Sequence, residues 1–529
     1  MAADIIVLEQ YLMSRSAGTQ QTSKPYNTIS TNSTNPIVYL TVPRRRKGVM
    51  PSIDPGGPPK EIIEQVLRPY ATEVRQLYFD CLHPCFPILD EYGFGELWTK
   101  DRSSISSTLL CDMYASALIY WDRCDTLRAH PKPDTNFVWN QAAISLQDDF
   151  MGPTISTVHA ALLDMIGRPV LLDGAITGNI VNAGRVAALA QSLGLHRNPT
   201  SWKITPHEKN VRIRLWWGVL VHDYWSSLCH GIPPTTNLKH YDTPLVTMKA
   251  FATSSISQEH SHTVSTFVLL CRLTRILGET LPDVYTIFVE LEEVYRSFRK
   301  IECDLDEWLA DLPSHLKPDI SSMGESVNGT SNLWLAYLSI KILVCRVVFK
   351  ATRKDTQISN EARQFRLAIL REAPLEVVDF VASLRDDKLQ EFWLPYTSYL
   401  LVTAATVLLR SAIECGDLAT KRSCVEKLLV FRARLQRASD DCGWNLADFC
   451  LERCHEPIQR LADAMGVLPQ SPRTEVMNAN PEEMRSAHDR VETEADAAAS
   501  DVLLPEDLLE CPLEIMWDTF DGSWPLQQL

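Results

Sequence analysis

The sequence predicts an all-α protein: a large multi-helix bundle between an N-terminal region of disordered composition and an acidic C-terminal tail. Two observations carry this. From residue 61 to about 467, apolar residues recur at i, i+3, i+4 and i+7 in one segment after another, the spacing of a helix face. No stretch shows convincing strand alternation, and no fixed-period repeat supports a regular solenoid.

Residues 1–60 are rich in Ser, Thr, Asn, Pro and Gly and lack apolar periodicity, which predicts disorder. They contain Arg44, Arg45, Arg46 and Lys47, four consecutive cations that suit either a nuclear import signal or an arm contacting phosphate. Helical patterns then cover 61–79, interrupted by Pro69, followed by 107–121 and 140–150. Gly152-Pro153 breaks the chain, and 154–167 resumes it. Beyond the central segment, helices are expected at 261–278, 283–312, 332–352, 361–385, 392–415, 419–438 and 446–465. Pro313, Pro318 and the glycines at 324 and 329 mark a loop. Residues 468–490 are polar and of mixed charge, the composition of a linker.

The chain is organised around 183–234. Val186, Leu189, Ala190 and Leu193 form one helical face, which Gly194 closes by accepting positive φ and Pro199 forbids from continuing. A second helix opens at Thr205-Pro206-His207-Glu208, which reads as a capping box with Pro at the first helical position. It runs to Gly231, before Pro233-Pro234. Trp216, Trp217, Tyr224 and Trp225 fall on several of its faces, so this helix is buried among others. Arg212, Arg214, His222 and Asp223 therefore sit at or near a crowded interior. A buried Asp223 must pair with Arg or His or accept from backbone. Arg212, Arg214 and Asp223 form the candidate polar core, as a structural contact or as a ligand or regulatory contact.

These residues resemble the fungal-specific transcription factor domain, the middle homology region of fungal zinc-cluster regulators. The matching positions are Ala190, Leu193-Gly194-Leu195-His196-Arg197, Glu208, Arg212, Arg214-Leu215-Trp216-Trp217, Asp223, Leu228 and Gly231. Upstream, His83-Pro84-Cys85-Phe86-Pro87-Ile88-Leu89-Asp90 is similar to the element that opens the same domain. The resemblance covers roughly 62–465 and implies a helical regulatory domain at 61–467. Ile213, Tyr224 and Ile232 stand where the family usually has Arg, which weakens any network built on those arginines. The family's binuclear zinc cluster needs six cysteines within about forty residues. The first cysteine here is Cys81, so no cofactor is expected in this chain, and DNA contact is expected directly or through a partner.

Composition sets further bounds. The formal net charge of -15 is the wrong sign for a protein wrapped along its whole length on nucleic acid. Fourteen cysteines, scattered singly, fit a reducing compartment. No secretory signal opens the chain. The longest uncharged, mostly apolar stretch, 392–409, contains Pro395 and several hydroxyl residues and reads as a buried bundle helix, not a membrane span. Residues 491–529 have ten acids and no Lys, Arg or His, interleaved with Leu508, Leu509, Trp517, Phe520 and other bulky groups. That is the composition of an acidic activation segment, whose acids keep apolar groups solvated until they dock into a coactivator.

No catalytic or metal-ligating residue is expected. Cys450 and Cys454 are one turn apart, but His455 points about 100° away from Cys454 on a helix. The acidic pairs Asp148-Asp149 and Asp440-Asp441 lack the third acid of a diphosphate-binding site, so an all-α metal-dependent enzyme is a weak alternative. The expected function is nuclear transcription regulation of RNA polymerase II genes, with coactivators, a homodimer or heterodimer and a small-molecule effector as possible partners, and no membrane. The alternative is a regulatory scaffold or corepressor-like partner that does not read DNA.

Overall fold

The computed structural model describes residues 54–167, 175–251, 258–286, 290–317 and 327–467, with the backbone of 26–28 and 38–40. Arg44, Arg45, Arg46 and Lys47, the segment 468–490, and the tail with Leu508, Leu509, Trp517 and Phe520 lie outside the described residues. The N-terminal region, expected to lack regular structure, contains one short antiparallel pair. Strand β1 (Tyr26–Thr28) pairs with β2 (Val38–Leu40), Tyr26 opposite Leu40. Aromatic and β-branched residues favour such pairing, and three-residue strands are too short to show a period of two.

The other described secondary-structure elements are helices joined by loops. Helix α1 (Gly57–Val66) starts on Pro58 and Pro59, where proline's missing N–H has no intrahelical partner to lose. α2 (Ala71–Leu77) runs into a π turn at Tyr78–Leu82. α3 (Glu91–Lys100), α4 (Ser107–Ala117), α5 (Thr135–Asp149) and α6 (Ile155–Gly167) follow. α4 is buried at every residue and packs between α1, α5 and α6. α5 begins five residues before the apolar pattern does, because Asp134 caps it by accepting from the amides of Asn136 (2.9 Å) and Phe137 (3.2 Å).

The central pair is α7 (Ala175–Ser192) and α8 (Pro206–His230). Gly194 and Gly231 follow them at φ 74° and 69°, the left-handed region that favours glycine. The second half comprises α9 (Gln258–Tyr285), α10 (Leu291–Ala310), α11 (Thr330–Lys354), α12 (Asn360–Ser383), α13 (Thr397–Glu414), α14 (Leu418–Cys442) and α15 (Asp448–Ala464). Two further differences from the sequence pattern lie at prolines. Pro282 lies inside the last turn of α9, so the helix expected from 283 starts instead at Leu291. Pro395 keeps 392–396 out of the helix, and α13 starts at Thr397.

α11 is the one described helix long and apolar enough to cross a membrane; 72% of its apolar window is buried in the protein, the environment of a core helix. Residues 392–409 are likewise almost wholly buried. The core is continuous from Ile63 to Val467, and its largest buried side chains include Trp216, Trp217 and Trp225 of α8 and Trp308 of α10.

α8 and α9 cross closely. A Cβ on Gly278 would lie 2.4 Å from the Tyr224 ring, so the absence of a side chain there sets the approach. Gly278→Ala is expected to cost about 1–3 kcal/mol by overpacking, read as a lower urea midpoint with an unchanged denaturant slope.

Candidate regulatory site around the buried helix

Residues 214–228 of α8 are all buried, so partners for its polar side chains have to come from the protein and not from water. At its start, Thr205 Oγ1 accepts from the Glu208 amide at 3.2 Å. The Glu208 carboxylate turns instead to Arg212 Nε, also at 3.2 Å. Arg212 reaches back to the Leu193 carbonyl (3.4 Å) and lies over the Trp202 ring, tying α8 to the end of α7.

Arg214 is 3% exposed and donates to the Leu89 carbonyl at 3.2 Å. Burial lowers its pKa to about 10, opposed by the charge of Asp90. It thereby grips the element His83 to Asp90. His159 Nε2 of α6 sits 3.1 Å from the Ile88 carbonyl on the same element. Gly218 makes the contact possible: a Cβ there would meet Ile88 at 3.0 Å, Leu162 at 3.2 Å and Phe86 at 3.5 Å. Phe86 is edge-on to His222 of α8 and to Phe267 of α9, and stacks on Phe392. The two sequence motifs, far apart along the chain, are thus packed face to face.

Asp223 clamps the loop that follows its own helix. Oδ1 accepts from the Thr235 amide (2.9 Å); Oδ2 accepts from the Thr236 amide (2.8 Å) and the Thr236 hydroxyl (2.5 Å). Burial raises its pKa, and these hydrogen bonds offset only part of the rise. The partner is backbone and hydroxyl, not Arg. The bonds of Arg212, Arg214 and Asp223 therefore go to three different segments instead of one shared network. Of the departures from the family pattern, Tyr224 packs against Gly278, and the Ile232 carbonyl accepts from the Ser227 hydroxyl at 2.5 Å.

Sequence reasoning missed the strongest link from α8 to the second half. His222 Nδ1 lies 2.8 Å from the Tyr396 hydroxyl, which donates to the His222 carbonyl at 3.2 Å. This geometry fits a neutral ring carrying its proton on Nδ1. Burial holds His222 down to about 3, and His159 and His230 to about 4. Trp225 Nε1 donates to Thr274 of α9 at 3.0 Å, and Trp217 Nε1 to the Pro244 carbonyl at 2.8 Å. Near the end of α8, His230 is edge-on to Tyr399 at 4.7 Å. Two water-sized crevices flank this end, one lined by Met165, Asn179, His230 and Tyr399, the other by Leu228, Arg346 and Leu400.

Cys450 and Cys454 are both buried and share a thiol hydrogen bond, which with burial pushes the Cys450 thiol up. Asp149 accepts from the Thr157 hydroxyl at 2.6 Å and Asp440 from the Gln436 amide at 3.0 Å, contacts that serve local structure. Among the described residues no three His, Cys, Asp or Glu side chains are grouped to hold a metal ion.

Two outcomes follow from these contacts. Asp223→Ala strands the amide and hydroxyl of buried Thr236 and releases the Thr235 amide, and is expected to cost about 2–4 kcal/mol in urea unfolding, whereas Thr236→Val, which keeps both amide bonds, costs less than half of that. The buried histidines set a pH dependence. The unfolded chain takes up their protons near pH 6.5, but the folded chain takes them up only near pH 3–4. Their contribution to stability is therefore constant above about pH 7 and is lost as pH drops through 6.5, each histidine adding up to about 1.4 kcal/mol per pH unit. Urea midpoints between pH 7.5 and 5 measure this, and His222→Gln removes about a third of the slope these three contribute.

Comparison with known proteins agrees with this geometry. Residues 76–310 match the fungal specific transcription factor domain, a span that includes the His83–Asp90 element and all of α8. An uncharacterized transcriptional regulatory protein of Schizosaccharomyces pombe is 23% identical over 467 residues, covering 87% of this chain and 68% of the relative. The transcriptional activator protein DAL81 of Saccharomyces cerevisiae is 24% identical over 384 residues, 63% of this chain and 38% of the relative. The acetamidase regulatory protein of Aspergillus fumigatus is 25% identical over 279 residues, 52% and 34% respectively. The chain thus spans about a third to two thirds of the lengths of these relatives. No solved structure matches it. With its opening element, its buried α8 and the clamped loop beyond it, this chain carries a fungal-specific transcription factor domain over 76–310, and the relatives it resembles are named as fungal transcriptional regulators.

Proposed function

We propose that this chain regulates transcription of RNA polymerase II target genes as a non-enzymatic nuclear protein. The helical region is its regulatory body and 491–529 its output. The observation that carries this reading is the domain match over 76–310, together with relatives whose names are those of transcriptional regulators and activators. The ten acids interleaved with Leu508, Leu509, Trp517 and Phe520 support the tail as the coactivator-binding part. Arg44, Arg45, Arg46 and Lys47 supply a nuclear import signal. DNA is reached through a partner chain or a zinc-cluster segment outside this sequence, and homodimers or heterodimers deliver the regulatory domain there. A small-molecule effector acts on contacts of α8, the helix through which the segments around it are held.

The test is a reporter in a fungal host. Residues 491–529, and separately the whole chain, are fused to an unrelated DNA-binding domain. The tail is expected to activate, and Trp517→Ala with Phe520→Ala to lower its output by at least about tenfold, since truncating a docking anchor typically costs about 2 kcal/mol. Silence from both fusions overturns the activator reading.

A further inference from the structure

Among the described residues, one surface of the helical region sets cations without carboxylate partners around an exposed aromatic ring, in a protein that is acidic overall. Over residues 346–371, where α11 ends and α12 begins, the sequence has seven Lys or Arg and two acids. Arg353 and Lys354 form the last turn of α11 and are exposed. Arg363 and Arg366 lie in the first two turns of α12, and Arg363 donates to the Asp355 carbonyl at 2.9 Å, which holds the two helix ends together. Further along the same helix pair, Lys341 is matched by Glu376 at 2.5 Å. Among the described residues no carboxylate forms an ion pair with Arg353, Lys354, Arg363 or Arg366. In their midst Phe365 is 63% exposed. An aromatic left in water among unpaired cations is a surface suited to an acidic segment that also presents apolar groups.

The same chain contains such a segment. We propose that residues 491–529 dock in cis on the hairpin tip formed by the end of α11 and the start of α12, their acids meeting Arg353, Lys354, Arg363 and Arg366 and an apolar residue covering Phe365. The complementarity is twofold, in charge and in apolar character. A duplex's phosphates would meet the arginines but leave Phe365 uncovered, and would approach a chain of net charge -15. The tether suffices. Val467 closes the last described turn, and 468–490 supply 23 residues. Extended, these span up to about 78 Å, well beyond the radius of gyration of about 22 Å expected for a domain of some 410 residues. A tether of this length would hold the tail at about millimolar effective concentration, so a weak contact is enough. Docking covers the apolar groups a coactivator would engage, so occupancy of the tip sets how much of the tail is available. This goes beyond the proposed function and does not require it, since a tail can dock whether or not it activates.

Zero-length carbodiimide cross-linking of the full chain, followed by mass spectrometry, tests it. An equal mixture of ¹⁴N- and ¹⁵N-labelled chains identifies whether a link lies within one molecule. The expected result is an amide between Lys354 and an acid of 506–518, within isotopically matched peptides, fading in 0.5 M salt. R353E/R363E/R366E, which retains Lys354, lowers its yield about tenfold, and F365S lowers it without changing any charge. Urea unfolding of both variants confirms that they fold. A Lys354 link found mainly between differently labelled chains overturns docking in cis in favour of a second copy. Tail links that spread over the bundle and ignore the variants overturn it too. So does protection of Lys354 from acetylation by a DNA duplex but not by the tail. Failure of the tail in the reporter leaves these cross-links unchanged, so the two readings fail separately.

Discussion

The carboxylate of Asp223 cannot be taken out of water alone, and the way that demand is met shapes the centre of the protein. Two backbone amides and a hydroxyl, all from the loop after its own helix, converge on it. That loop can present them only because Gly231 turns the chain through the left-handed region. The same requirement repeats along α8. A helix buried all round satisfies its backbone internally but not its side chains, so five of its polar side chains become ties to neighbours. Arg212 goes to the end of α7, Arg214 to the element at 83–90, His222 to Tyr396, Trp225 to α9 and Trp217 to Pro244. Losing any one leaves a buried polar group unmatched. The register of α8 relative to five segments is therefore over-determined.

What could be read from the sequence follows from how local each interaction is. Thr205, Gly194 and Gly231 act within a few residues of themselves, so their roles were visible in the string. The burial of α8 was also visible, because four large aromatics on several faces leave no side for water. That Asp223 needs a partner followed from chemistry, but its identity did not, since Thr235 and Thr236 qualify only once the loop folds back. Phe86 against Gly218 and His222 against Tyr396 are separated by 132 and 174 residues, and no spacing rule connects them. The short β1–β2 pair and the helical turn through Pro282 were hidden for the opposite reason. Each is a small local exception to a composition or propensity that is otherwise a sound guide.

The arrangement also bears on how α8 can move. α8 touches α6 and α7 on one side and α9 and Tyr396 on the other, so a small displacement cannot be absorbed at one contact. Tightly packed interiors move between discrete arrangements instead of deforming continuously. The crevices at the end of α8 are water-sized, so a larger molecule would have to open them, and the work of opening would fall on contacts α8 already holds.

The match to the family ends at residue 310, yet the packing does not. Trp308, two residues earlier, stacks on Tyr337 of α11 at 5.4 Å and donates Nε1 to the Leu269 carbonyl at 3.1 Å. Phe86 stacks on Phe392, and His222 depends on Tyr396. A fragment ending at 310 would uncover faces of Trp308, Phe86 and the α9 side that meets α11. Large aromatics bury about 150–250 Å² each, and at about 25 cal/mol per Å² the loss reaches several kcal/mol. Most domains are stable by only about 5–15 kcal/mol in total. The helices beyond 310 are in this sense part of what keeps the matched segment folded, and α8 is the element through which the two depend on each other.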